Sequence, residues 1–104
     1  MAITVSEERL KWVIQYGKLE EQAEDPGEKL IIEGLCLGSM VYLANSEVVE
    51  TEANYPLYWI IVGAMTLHAY DHRDQVGFVP AGVRDILNQL KLKANYPEGE
   101  NSDE

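Results

Sequence analysis

Apolar positions in this chain recur at helical spacing between short acidic breaks, so the pattern predicts helices throughout. The longest charge-free stretch of this kind lies in PLYWIIVGAMTLHAYDHRD, residues 56–74, where Leu57 to Leu67 offers no face meant for water before His68. A helix that is apolar all round is buried on most sides. Pro56 suits the first turn, where an N–H would have no partner in any case. At 1.5 Å per residue the stretch would run about 27 Å, the width of a small domain. The expectation is a buried central helix. The apolar run falls well short of the roughly 20 residues a bilayer demands, so no membrane span is expected.

The flanking segments are read in the same way. Thr4 and Glu7 have the spacing of a capping box, with Ser6 a competing cap just inside, and a helix of about ten residues should follow. Leu10, Val13, Ile14 and Gly17 share one face, Trp12 and Tyr16 a neighbouring one, and Gly17 is a reasonable terminator. Lys18 to Asp25 lacks an apolar period and reads as an exposed loop or frayed turn. Asp25-Pro26-Gly27-Glu28 then opens a second helix expected from Pro26 to about Asn45, with Asp25 as cap and Glu28 able to answer it. After Glu33 this helix carries no charge, so it too is expected to be buried over most of its circumference, and Gly34 and Gly38 could admit a close backbone. Residues 46–54 form a polar break in which Val48 and Val49 could be briefly extended. Pro80 opens a last helix over about Ala81 to Leu92, whose Val83, Ile86, Leu87 and Leu90 recur at i, i+3, i+4 and i+7.

These readings give an all-α chain, a compact bundle of about four helices with a buried central one. Residues 1–94 form a single domain and residues 95–104, NYPEGENSDE, a disordered acidic tail. Two apolar helices covered by two short amphipathic ones is thin cover for 104 residues. Assembly with copies or a partner is therefore expected.

Charge narrows the function classes. Eighteen acidic and eight basic residues leave a net charge of −10, and the deficit is not confined to the tail. Phosphate tracking needs a Lys/Arg surface, so tight nucleic-acid binding is not expected. The single cysteine, Cys36, lies in an apolar run, as a small buried hydrophobe would in a reducing compartment. Nothing at the N-terminus has the form of a cleaved export signal.

Few residues offer chemistry. His68 and His72 are one turn apart with Asp71 between them, a spacing able to place two imidazoles on one metal, although a helix leaving a core often ends in such residues. Neither Cys36 nor Ser6, Ser39 or Ser46 has a nucleophile context, and no phosphate loop is present. The paired acids at Glu20-Glu21 and Glu24-Asp25 lie in polar segments and read as solvated charge. Trp59 reads as core and Tyr55 as exposed. No catalytic residue and no cofactor is expected.

The run Ala64-Met65-Thr66-Leu67-His68-Ala69-Tyr70-Asp71-His72-Arg73-Asp74, followed by Pro80-Ala81-Gly82-Val83 and Ile86-Leu87, resembles the tailed-bacteriophage head-tail connector family of portal adaptor and head-completion proteins. In that family an apolar helix ends in a His-x-Tyr-x-x-Arg-acid signature, here His68, Tyr70, Arg73 and Asp74. A Pro-x-x-Val start to the last helix follows, here Pro80 and Val83, with Leu87 on the same face. The resemblance implies a non-enzymatic virion protein that forms a homo-oligomeric ring on the portal protein, extends the DNA channel and meets a stopper or tail-completion protein. Its place would be the head-tail junction, after assembly in the host cytoplasm. DNA would pass without specific binding, and Glu47, Glu50 and Glu52 are candidates for acids that face the channel and repel its phosphates. His68 and Tyr70 are expected to hold the central helix against the last one, and Arg73 to pair with Asp74, Asp85 or a neighbour's carboxylate. An acidic DNA-mimic or anti-restriction protein is the alternative, with a small metal-binding helical protein behind it.

Overall fold

A computed structural model of the chain describes residues 3–72 and 77–95, the last three by backbone alone. It consists of five α-helices: α1 (Glu7–Tyr16), α2 (Glu20–Ala23), α3 (Pro26–Asn45), α4 (Tyr55–Asp71) and α5 (Ala81–Asn95). No strand occurs among the described residues, and the brief extension expected at Val48 and Val49 is not a strand. The all-α bundle is as the pattern predicts. No described helix is long and apolar enough to cross a membrane.

Caps explain where the helices begin. Ser6, rather than Thr4, accepts the Arg9 N–H at 3.1 Å and starts α1, while Asp25 accepts the Glu28 N–H at 2.9 Å and starts α3. Thr51 and Asn54 bond reciprocally just before α4, each backbone N–H donating to the other's side chain, at 2.7 and 3.1 Å. This closed turn delivers the chain into Tyr55 and Pro56.

α1 ends where Gly17 was expected to end it, with Gly17 as the C-cap, and α1 and α3 close in the same way. Gly17 is right-handed at φ −86°, and the left-handed residue is Lys18, at φ 56°. The Leu19 N–H reaches the Ile14 carbonyl at 2.9 Å and the Lys18 N–H reaches Gln15 at 3.1 Å, the paired bonds of a Schellman motif. The same motif ends α3, with Glu47 left-handed at φ 65° and the Val48 N–H on the Leu43 carbonyl at 2.8 Å. In both, the residue after the left-handed one, Leu19 or Val48, is buried. The acidic break after α1 is therefore no simple exposed loop: Leu19 anchors it and one turn of helix, α2, follows.

Helix α4 is the centre. It packs on α1, α3 and α5, and most extensively on α3. Tyr58, Trp59, Ile61, Val62 and Met65 are buried along it, in one core shared with Val13, Cys36, Leu43, Val83, Leu87 and Leu90. A smaller core of Leu10, Ile14, Leu19 and Ile32 closes α1 and α2 over the first half of α3. α1 reaches α4 closely at Gly63, where an added Cβ would stand 2.7 Å from Cδ2 of Tyr16. Tyr16 in turn stacks on Trp12, centroids 5.2 Å apart.

Three boundaries differ from expectation. α4 ends at Asp71, with His72 already non-helical at φ −134°, instead of continuing to residue 74. α5 continues to Asn95, three residues beyond Leu92. And α3 is not buried over most of its circumference: only Ile32, Cys36, Ser39, Met40 and Leu43 are, all on the side facing α4. The expected tail lies outside the described residues from Tyr96 onward.

Candidate assembly surfaces

The outer face of α3 is the most open apolar surface of the molecule. Leu30 is 69% exposed, Val41 43% and Tyr42 38%, and a Cβ added at Gly34 would meet nothing within 4 Å. Gly27 and Asn45 are exposed on the same face, and Leu37, Gly38 and Ala44 are half-buried at its edges. From Gly34 to Asn45 the helix holds no charged residue. The close approach suggested by Gly34 is not made within this chain.

A second surface is built where α1 crosses the start of α4. Arg9 bonds Glu50 through Nη2 and Oε2 at 3.2 Å, and its guanidinium carbon lies 5.4 Å from the Tyr55 ring centroid and 5.1 Å from that of Trp59. Tyr55 and Trp59 are one turn apart, so α4 presents two π-faces to one planar cation. Trp59 is buried, as expected, and its indole N–H meets no acceptor among the described residues. Tyr55, at 45% exposure, Leu57 and Val49 leave apolar surface around this pair. The hydroxyl of Tyr58, beneath, is pushed up to about 12 by burial, then by the Glu50 charge and Cys36. Of the three candidate channel acids, Glu47 and Glu52 are exposed, whereas Glu50 is committed to Arg9.

The third cluster closes the far end of α4. His68 stacks on His72 on one side and on Phe78 on the other, with centroid distances of 4.5 Å in each case. His72 Nδ1 lies 3.2 Å from the His68 carbonyl oxygen. Stacked imidazoles hold their nitrogen lone pairs in near-parallel planes, which does not converge them on one ion. Asp71 is exposed, and no group of three or more His, Cys, Asp or Glu suited to a metal occurs among the described residues.

The signature residues separate into different places. Tyr70 was expected to hold α4 against the last helix. Its O–H donates to Glu28 Oε1 at 2.7 Å, and its ring joins the small core of α1, α2 and α3. His68 instead reaches the segment leading into α5 through Phe78. Val83 and Leu87 are buried in the main core, and Pro80 stands immediately before α5, its carbonyl accepting the Val83 N–H at 3.1 Å. Arg84 is exposed and its guanidinium donates back to the Val79 carbonyl at 3.0 Å. Arg73 and Asp74 lie outside the described residues, and so does the pairing expected of them.

Cys36 is sealed between α3 and α4. Burial pushes its thiol up to about 11, opposed by a hydrogen bond with Thr66 and assisted by the Glu33 charge. The nucleophilic thiolate is scarce there at neutral pH.

Sequence reasoning passed over Arg9 and Phe78. The Tyr55/Trp59 pair one turn apart was a signal for a cation, but which cation depends on where α1 crosses. Comparison with family models, curated proteins and solved structures finds no match.

Proposed function

We propose that this chain is a structural subunit of a tailed-phage virion, a head-tail connector that assembles as a ring on the portal vertex and carries the DNA channel toward the tail. The observation that carries this reading is that large apolar side chains stay uncovered on two different elements. One set is Leu30 and Val41 on the outer face of α3, and the other is Val49, Tyr55 and Leu57 around the start of α4. A ring needs two unlike surfaces on each copy, because each subunit meets its neighbours head to tail. The resemblance of residues 64–87 to the connector signature points the same way.

In this reading neighbours and portal cover the apolar faces. Exposed acids in the break after α3, Glu47 and Glu52, keep the phosphate backbone from adhering as it passes, since like charge in a narrow passage raises the cost of contact. Glu50 serves the fold by holding Arg9, so channel tests belong on the other two. Native mass spectrometry of the chain with and without a portal ring tests the assembly. A defined multiple of this chain on the portal is the expected result, and a chain that ignores the portal at high concentration overturns the reading. Replacing Glu47 and Glu52 with Lys should slow DNA exit from particles.

A further inference from the structure

The outer face of α3 has an internal order beyond being apolar. Gly27, Leu30, Gly34, Leu37, Val41 and Ala44 follow one another at intervals of three, four, three, four and three residues, the alternation of a heptad seam. None of the six is buried: four are exposed, and Leu37 and Ala44 half-buried. The residues between them, Ile32, Cys36, Ser39, Met40 and Leu43, are those that α3 buries against its own chain. Thus α3 has two apolar faces, and only one is used inside the subunit.

The side chains along this seam fit one arrangement better than the others. If two copies of α3 lie antiparallel about a two-fold axis between residues 35 and 36, Leu37 of each copy stands over Gly34 of the other, Leu30 beside Val41, and Gly27 beside Ala44. Each large knob then meets a complementary residue, and Gly34, which nothing fills within the subunit, receives a leucine. A parallel pair would set Gly34 against Gly34 and leave a void at mid-seam, with the loss of contacts that a void entails. Charge agrees with the antiparallel choice. Glu28, Lys29 and Glu33 all lie in the first half of α3, so each set faces the partner's charge-free half, and the two helix dipoles oppose. In a chain of net charge −10, the seam is where two copies can meet without bringing acids together.

We infer that α3 pairs antiparallel with α3 of a second copy of this chain, through the seam Leu30, Gly34, Leu37 and Val41. The pair is isologous and closes on itself, so it does not build a ring; it uses the α3 face that the ring reading gives to a neighbour or the portal, and opens before that face is taken up. It is the form of the isolated protein.

Light scattering coupled to size exclusion on the isolated full chain, over a range of concentrations, tests the pairing. The expected mass is that of two copies, falling to one on dilution. Leu30→Glu places a charge in the seam and should weaken association more than about a hundredfold while leaving the circular dichroism unchanged, because Leu30 makes little contact within the subunit. Leu57→Glu, at the other apolar surface, should leave the pair intact. Orientation is read by disulfide trapping, in which the native Cys36 is a poor competitor because it is buried. Gly34→Cys mixed with Leu37→Cys should cross-link to each other far faster than either does to itself. A monomer at all concentrations overturns the inference, as do faster self-cross-links or an oligomer indifferent to Leu30→Glu. None of these results bears on portal binding, which the mass-spectrometry experiment reads separately.

Discussion

Helices α3 and α4 are both long, poor in charge and apolar around most of their circumference, yet the fold treats them differently. α4 packs on α1, α3 and α5, and its circumference is mostly buried, whereas α3 packs on α1, α2 and α4 and still turns Leu30, Gly34 and Val41 outward. Their glycines show the contrast at single-atom scale. Gly63 in α4 is required because the Tyr16 ring lies where a Cβ would be, and Gly34 in α3 faces open space. An apolar circumference reports how much surface has to be covered, not which molecule covers it. In α4 the covering is done by this chain, and in α3 the outer face stays uncovered.

The sharpest way to break the comparison is to truncate one large side chain on each helix. Ile61→Ala in α4 should cost about 2–5 kcal/mol in denaturant unfolding, since it removes three carbons from a fully buried site and leaves a cavity. Leu30→Ala in α3, in dilute protein, should change stability by no more than about 0.5 kcal/mol. Equal costs would mean that α3 is covered within the subunit after all.

Between the two helices lies a second contrast, in pH. The Cys36 thiol is raised from 9.0 to about 11 and the Tyr58 hydroxyl from 10.0 to about 12, both chiefly by burial. The unfolded chain loses these protons first, so above about pH 9 it binds fewer protons than the folded chain, and stability falls as pH rises. For Cys36 the loss accumulates between 9 and about 11, on the order of 3 kcal/mol for two pH units. Cys36→Ala should flatten the unfolding-versus-pH curve in that window, and leave the later fall due to Tyr58. An unchanged slope would show that the thiol is open to solvent.

The glycines give a smaller and opposite-signed pair. Gly34→Ala should stabilise by about 0.8–1 kcal/mol, the ordinary propensity difference in an open helix. At Gly63 the same propensity gain is outweighed by the clash with Tyr16, and the expected net is a loss of about 1 kcal/mol. Combining Gly63→Ala with Tyr16→Ala removes the clash, so the two effects should fail to add.

Much of this was legible from residue spacing, because caps and periodicity are local. Asp25-Pro26 marked the start of α3, Val83, Ile86, Leu87 and Leu90 marked the buried face of α5, and Trp59 and Tyr55 took the inside and outside places expected of them. The misreadings are long-range. Gly17 ends α1 as expected, but what it does there was not legible: a Cβ would lie 3.4 Å from Leu67, and the left-handed turn falls on Lys18. Tyr70 was expected against the last helix and points to Glu28, 42 residues earlier in the chain, since the side a residue takes on a buried helix depends on which neighbours surround it. The same reasoning hid the open side of α3. Its periodicity resembles that of α4, and each packs on three helices, so what separates them is where those helices lie around the circumference.

The smallest expected effect concerns the joint between α1 and α4, where one cation serves both a carboxylate and two rings. The Arg9–Glu50 pair is about one-third exposed on each side, so solvent screens it and its worth is about 0.2–1 kcal/mol. Stacking on Tyr55 and Trp59 adds about 0.5–1 kcal/mol, with a different signature: it depends on a flat guanidinium and little on salt. Glu50→Gln should therefore lower stability slightly and only at low ionic strength. Arg9→Lys keeps the charge but loses the planar contact, and its deficit should persist at high salt. If both variants lose the same amount and salt erases both losses, the rings contribute nothing and the joint is an ion pair alone. If only the Arg9→Lys loss survives salt, α1 is held to α4 chiefly by its aromatic faces, which would explain why α4 exposes Tyr55 instead of burying it.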